Sequence, residues 1–221
     1  MSSKHHESIL DSTNGERFRK LQSLTNHWRR PATPRAYYWY LTFDIPPHLR
    51  SLVRRCQEAI SFPYYDLLAD SDLHLTLDRI AFEGNITLDQ LNSIKAAAIN
   101  ACEEIPPLNI TIGSLGGTSG AIGFSASPIG KIRHLRDTLR EATLSIYPDA
   151  PIKDSEFHPH VTIAYCNASD VSATQAVAAV EKLSGLTCAD VTAKEGALVL
   201  LERRKRSYSW EAIFHIPLSG R

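Results

Sequence analysis

Two strings in this chain, His74-Leu75-Thr76-Leu77 and His160-Val161-Thr162-Ile163, follow one pattern of histidine, apolar residue, threonine, apolar residue. Alternate side chains of a β-strand share a face. Each string therefore aims an imidazole and a hydroxyl one way and two aliphatic side chains the other way, into a core. Two imidazoles across a phosphate can divide the work of phosphoester cleavage. A neutral ring takes a proton from the attacking oxygen and a protonated ring gives one to the leaving oxygen, each role contributing about 10²–10⁴-fold. Histidine suits both roles, because its ordinary pKa of about 6.5 leaves either form accessible near neutrality. The threonine hydroxyls can donate to non-bridging phosphate oxygens, holding phosphorus in line and offsetting the charge that develops there.

The elements that must position these strings can be read along the chain. Residues 1–14 are polar and expected to be disordered, and residues 15–35 form an N-terminal helix and linker ahead of one domain over 36–221. In that first stretch Phe18, Leu21, Leu24 and Trp28 have near-helical spacing, predicting a short amphipathic helix over Glu16 to Arg30 that ends before Pro31 and Pro34. Ala36–Ile45 is dense in aromatics and reads as a strand; Pro46 and Pro47 suit the first turn of a helix reaching about Ile60. Leu73–Phe82 reads as a strand. Thr87 with Gln90 three positions on predicts a capping box for a helix through Glu104. Leu108–Leu115 and Ala121–Ser125 read as strands, Lys131–Tyr147 as a helix, Phe157–Cys166 as the second motif strand and Ser172–Leu183 as a helix. Val191–Leu201 and Ser207–Pro217 read as strands closing on the basic turn Arg203-Arg204-Lys205-Arg206. This mixture predicts an α+β fold with antiparallel sheets faced by helices on one side.

Composition excludes some functions. The chain has 221 residues, 43% hydrophobic and 22% charged, ordinary for a globular protein that buries a good core. Twenty-four basic residues balance 24 acidic ones, so anion binding must be local, and a small substrate is favoured over a long RNA. Cys56, Cys102, Cys166 and Cys188 lack metal-type spacing and read as buried, reduced thiols. Met1 to Asn14 has no apolar secretory core, and no apolar run approaches the roughly 20 residues needed to span a bilayer. A cytoplasmic monomer with no membrane partner is expected.

The paired strings, with Leu73-His74-Leu75-Thr76-Leu77-Asp78-Arg79 and Phe157-His158-Pro159-His160-Val161-Thr162-Ile163-Ala164-Tyr165 as the most specific stretches, resemble the 2H phosphoesterase superfamily. Within it the chain is similar to the 2′-5′ RNA ligase-like and RNA 2′,3′-cyclic phosphodiesterase proteins, from about Tyr37 to Leu218. The resemblance implies a single bilobal domain, with two pseudo-symmetric antiparallel sheets flanked by helices and an active-site groove between them. It implies His74 and His160 as the acid–base pair, Thr76 and Thr162 as phosphate ligands, and no metal or other cofactor. Its implied substrates are RNA ends or small cyclic or 2′-5′-linked nucleotides. Relatives often carry Arg or Lys two residues before the second motif histidine, where this chain has His158. Arg79, His158 and Tyr165 are further candidate substrate contacts, although Tyr165 has the wrong parity to face the groove unless a bulge intervenes. Two other readings stay open. One is a non-catalytic RNA- or nucleotide-binding module using the same groove; the other is a zinc site of His74, His158 and His160. Tyr38 with Tyr40, and Tyr208 with Trp210, are either base-stacking or core residues, and the basic turn is either an RNA contact or a solvated tip.

Overall fold

The computed structural model describes residues 15–152, 156–186 and 188–220. After a helical turn at 15–19 and the short strand β1 (Ser23–Leu24), the aromatic stretch forms β2 (Ala36–Thr42). Pro47 opens helix α1 (Pro47–Ala59), where its missing N–H leaves no bond unmade. β3 (Tyr65–Leu67) and β4 (Leu75–Phe82) follow, β4 running directly on from His74. Thr87 caps helix α2 (Leu88–Cys102) with the predicted capping box, its hydroxyl accepting from the Gln90 N–H while the Gln90 side chain accepts from the Thr87 N–H. Next come β5 (Leu108–Thr118), β6 (Ala121–Ser127), helix α3 (Ile129–Leu144) and β7 (His160–Cys166), which holds the second motif. The remaining elements are β8 (Val171–Ser172), helix α4 (Thr174–Lys182), β9 (Ala189–Ala193), β10 (Glu195–Arg203) and β11 (Tyr208–Pro217).

Among the described residues nine strands form one antiparallel sheet in the order β11-β10-β2-β4-β7-β6-β5-β9, with β3 added beside β7. It consists of two lobes, β11-β10-β2-β4 and β7-β6-β5-β9. A single residue pair, Leu75 with Val161, joins β4 to β7. Helices α2 and α3 pack together, α2 lying on β11 and α3 on β4, while α1 covers β7 and β9 beside α4. Helix α3 follows a strand of the second lobe yet covers the first, and α1 does the reverse. The helix-side core takes in Trp39, Leu41, Leu75, Leu77, Val161 and Ile163, all buried. The buried Trp39 indole donates to the Thr143 hydroxyl of α3 at 2.9 Å, so a polar atom forced into the core by its ring still has a partner. Tyr40, Ala197 and Val199 form a smaller apolar cluster of their own, with Tyr38 and Trp210 against it.

Three expectations are corrected. The N-terminal helix stops at residue 19; Ser23–Leu24 instead pairs with β8, and Asn26 turns its side-chain oxygen onto the Trp28 N–H at 2.8 Å to start a 3₁₀ turn at His27–Arg29. Bonds to the second lobe replace helical ones there. Val191–Leu201 divides at Lys194, because β9 pairs β5 at one edge while β10 pairs β2 in the other lobe. Their burial differs accordingly: alternating along β9, continuous over Gly196–Leu200 of β10. Finally, Cys56, Cys102 and Cys166 are buried free thiols, but Cys188 is exposed. The 1–14 expectation lies outside the described residues.

Asp78 and Arg140 tie α3 to the motif strand through a largely buried ion pair, Nε to Oδ2. Removing one partner of such a pair strands the other in a poorly solvated place, so Asp78→Ala should lower unfolding free energy by about 3 kcal/mol. The check is a shift in the urea midpoint at constant slope; an unchanged midpoint would show that this pair does not hold α3 in place.

Candidate active site

The register at the lobe junction places the two motifs. With Leu75 opposite Val161 on antiparallel strands, one step either way sets His74 across from Thr162 and His160 across from Thr76. Four polar side chains therefore gather on the face opposite the helices. Immediately beyond, both motif strands bulge at the same place. Trp39 pairs Asp78 and Tyr40 pairs Thr76, skipping Leu77; Ile122 pairs Ala164 and Gly123 pairs Thr162, skipping Ile163. An extra residue reverses the alternation of faces. Leu77 and Asp78 are both buried before Arg79 emerges, and Ile163 and Ala164 are both buried before Tyr165 emerges. Arg79 and Tyr165 thus occupy equivalent positions on the groove side, and the bulge that the parity of Tyr165 demanded is present.

The two imidazoles are held alike. Nδ1 of His74 lies 2.7 Å from the Asp72 carbonyl oxygen, and Nδ1 of His160 lies 2.8 Å from that of His158. A carbonyl can only accept, so Nδ1 carries the hydrogen in both rings and Nε2 is the exchangeable nitrogen of each. Their surroundings differ. His74 lies flat on the Tyr40 ring, centroids 4.0 Å apart and planes 7° apart, and meets Trp210 edge-on at 5.9 Å; His160 is exposed. Burial pushes the His74 imidazole down to about 4, opposed by its bond to Asp72 and reinforced by His160.

Each threonine has a tyrosine partner. The Tyr40 hydroxyl is hydrogen-bonded to Thr76, and the Tyr165 hydroxyl to Thr162. Burial raises both phenols well above their ordinary range, so both keep their protons. A protonated phenol can accept as well as donate, so each tyrosine hydroxyl is in place to orient its threonine hydroxyl.

The groove is a cavity of about 660 Å³ that takes in Thr76, Arg79, His158, His160, Thr162 and Tyr165. Every sequence-predicted site residue but His74 lines it, and His74 lines the adjoining cavity together with Thr76 and Tyr165. His158 is turned onto Glu156, Nε2 to Oε2 at 3.3 Å. Among the described residues no three His, Cys, Asp or Glu side chains converge to hold an ion, so the zinc arrangement is not formed. Tyr40 is buried beneath His74 and offers no face for a base. In the basic turn Arg206 pairs with Asp66, Arg204 with Glu202, and Arg203 donates to the Pro31 carbonyl at 3.0 Å while lying over Trp28. That turn is tied to its neighbours rather than a free tip.

Sequence reasoning missed Arg136, which reaches the groove from α3 and lies over Phe157 at 4.4 Å. It also missed His27, stacked on Tyr165 at 4.2 Å with Nε2 2.9 Å from the Tyr208 hydroxyl. Burial, helped by Arg203 and Arg30, pushes His27 down to about 4. A helix assignment for residues 16–30 hid its placement; the Asn-x-x turn signal at Asn26 was the available clue.

The sequence model of the 2′-5′ RNA ligase superfamily matches residues 45–205, and the chain belongs to this superfamily. The fold is similar to TT0787 of Thermus thermophilus, with a TM-score of 0.64 and 18% identity over 83% of this chain and 97% of that one. It is similar also to E. coli LigT complexed with 3′-AMP, with a TM-score of 0.59 and 17% identity over 84% and 99%. These matches bear out the 2H phosphoesterase resemblance and the bilobal α+β fold. No curated protein matches the sequence. Among the described residues no helix is long and apolar enough to cross a membrane.

The two depressed histidines make stability depend on pH with a definite sign. Between about pH 6.5 and about 4 the unfolded chain takes up protons at His27 and His74 that the folded chain refuses. Stability therefore falls as pH drops through this window and levels off in this respect below it. Urea unfolding across the window should show His27→Gln flattening the slope by up to one proton. An unaltered slope would mean that His27 titrates normally.

Proposed function

We propose that this chain is a metal-independent phosphoesterase that opens 2′,3′-cyclic phosphates, or cleaves and in reverse forms 2′-5′ phosphodiester linkages, by two-histidine acid–base catalysis. The observation that carries this reading is the matched pair of Nδ1-anchored imidazoles, each set across from the other motif's threonine. A nucleotide ligand is in keeping with E. coli LigT, which has been solved with 3′-AMP, ATP and NADP+.

His74, held neutral by burial, is the base in this scheme and His160 the acid. For a cyclic phosphate, His74 Nε2 takes a proton from water as the water oxygen bonds to phosphorus in line. The P–O bond to one ribose oxygen breaks, and that oxygen takes the proton from His160 Nε2, leaving a phosphomonoester. For a 2′-5′ linkage the vicinal 3′-hydroxyl replaces water and a cyclic phosphate forms; ligation is the same path reversed. Thr76 and Thr162 donate to the non-bridging oxygens throughout. The low pKa of His74 supports this assignment. A His74 titrating at about 4 is almost fully in the base form at neutrality, whereas the acid role would leave it nearly empty of protons there.

The test is turnover, with chelator present, of nucleoside 2′,3′-cyclic phosphates and 2′-5′-linked dinucleotides. His74→Ala and His160→Ala should each lose about 10²–10⁴-fold. Thr76→Ala should lose about 10²-fold or less, and Tyr40→Phe, which keeps the stack and loses the hydroxyl, about tenfold. The acid limb of kcat/KM should lie well below pH 6. No product from the wild-type chain, with salt-sensitive binding retained, would replace this reading with a binding module.

A further inference from the structure

Residues ahead of β2 lie outside the 45–205 stretch shared with the superfamily, yet they build part of the groove. Toward the second lobe, the Thr25 N–H donates to the Ser119 carbonyl, the Asn26 amide to the Asn167 carbonyl and the Trp28 indole to Asp66, each at 2.9 Å. Toward the first lobe, His27 meets the Tyr208 hydroxyl and the Pro31 carbonyl accepts from Arg203. The segment is a strap tied to both lobes. It helps enclose a second cavity of about 870 Å³, which shares His27, Tyr38, Thr76 and Tyr165 with the groove proper.

The chemistry of this annex is one-sided. Its lining holds three guanidinium groups, from Arg29, Arg30 and Arg203, and no carboxylate. Arg29 and Arg30 are exposed, with no ion-pair partner among the described residues. The Arg203 Nε is buried without a hydrogen-bond acceptor among the described residues, an arrangement folded proteins rarely keep for nothing. Guanidinium groups match phosphate oxygens in geometry as well as charge. In a molecule whose formal charges balance overall, three unopposed cations beside the reacting groups make a local anion site.

We propose that the annex is a second phosphate subsite, formed by the strap and Arg203, that holds a phosphate of the substrate beyond the one that reacts. This rests on the phosphoesterase reading and names its substrate class: a nucleotide with an additional phosphate. That phosphate is either a 5′-phosphate on the reacting nucleoside or the internucleotide phosphate of a short strand.

Calorimetric titration of the full chain with adenosine 3′-phosphate, adenosine 3′,5′-bisphosphate and 3′-phosphorylated diadenylate separates these cases without needing turnover. At least one two-phosphate ligand should bind about tenfold tighter than adenosine 3′-phosphate, and which one does so identifies the source. Arg30→Gln should shrink that margin, and Arg203→Lys, which keeps the charge but loses the Nε–H, should shrink it too. Lys205→Ala removes a cation of the same turn that does not line the annex and should leave the margin intact. No margin for either ligand overturns the subsite, as does an equal loss in Lys205→Ala, which would mark diffuse charge. A margin without any turnover would keep the subsite and remove the phosphoesterase reading.

Discussion

One backbone pairing, Leu75 with Val161, decides where the polar groups of this protein meet. Both side chains are buried, so the junction between lobes is fixed by core packing rather than by the histidines themselves. Side-chain direction in a strand repeats every two residues, and a slip of one position between the two strands would turn one motif's imidazole and threonine into the core and its aliphatic side chains into the groove. The apolar residues of each motif are thus as necessary to the site as its histidines. They set a local dyad, and the matching bulges after Thr76 and Thr162 carry that dyad three residues further, to Arg79 and Tyr165.

The dyad holds for the backbone and fails for the neighbours, and this failure is what distinguishes the two histidines. Across from Thr76, β2 supplies Tyr40, whose ring carries His74 and whose hydroxyl holds the threonine. Across from Thr162, β6 supplies Gly123, where an added Cβ would come within 2.5 Å of the Val161 carbonyl oxygen. One imidazole is therefore walled in by aromatics and the other faces solvent. A symmetric scaffold with unequal surroundings is a direct way to give identical residues opposite proton tasks.

Much of this was legible in the chain. Periodicity and capping chemistry located the strands and helices, because Thr87 with Gln90 or Pro47 at a helix start are local signals with local causes. The motif pair was legible because parity alone puts histidine and threonine on one face. The residues that escaped are those whose position depends on partners distant in sequence. Tyr40 could equally have been core, until the pairing of β2 with β4 set it under His74. Phe18, Leu21, Leu24 and Trp28 imitate a helix face, but bonds to Ser119, Asn167 and Asp66 draw the segment out along the second lobe. The split at Lys194 was hidden because β9 and β10 belong to opposite lobes of the fold and are adjacent only in the chain.

That last feature bears on how the molecule is made. The first lobe is completed by β10 and β11, so β2 keeps an open edge until the final strands of the chain arrive. During synthesis from the N-terminus, the second lobe has β5, β6 and β7 in hand while the first still lacks half of its strands. Helix α3, which must cover the first lobe, has by then already emerged. The first wall of the cleft is consequently completed last in the order of synthesis. A nascent chain interrupted before β10 would hold both histidine motifs but would lack two of the four strands that build the first wall of the cleft.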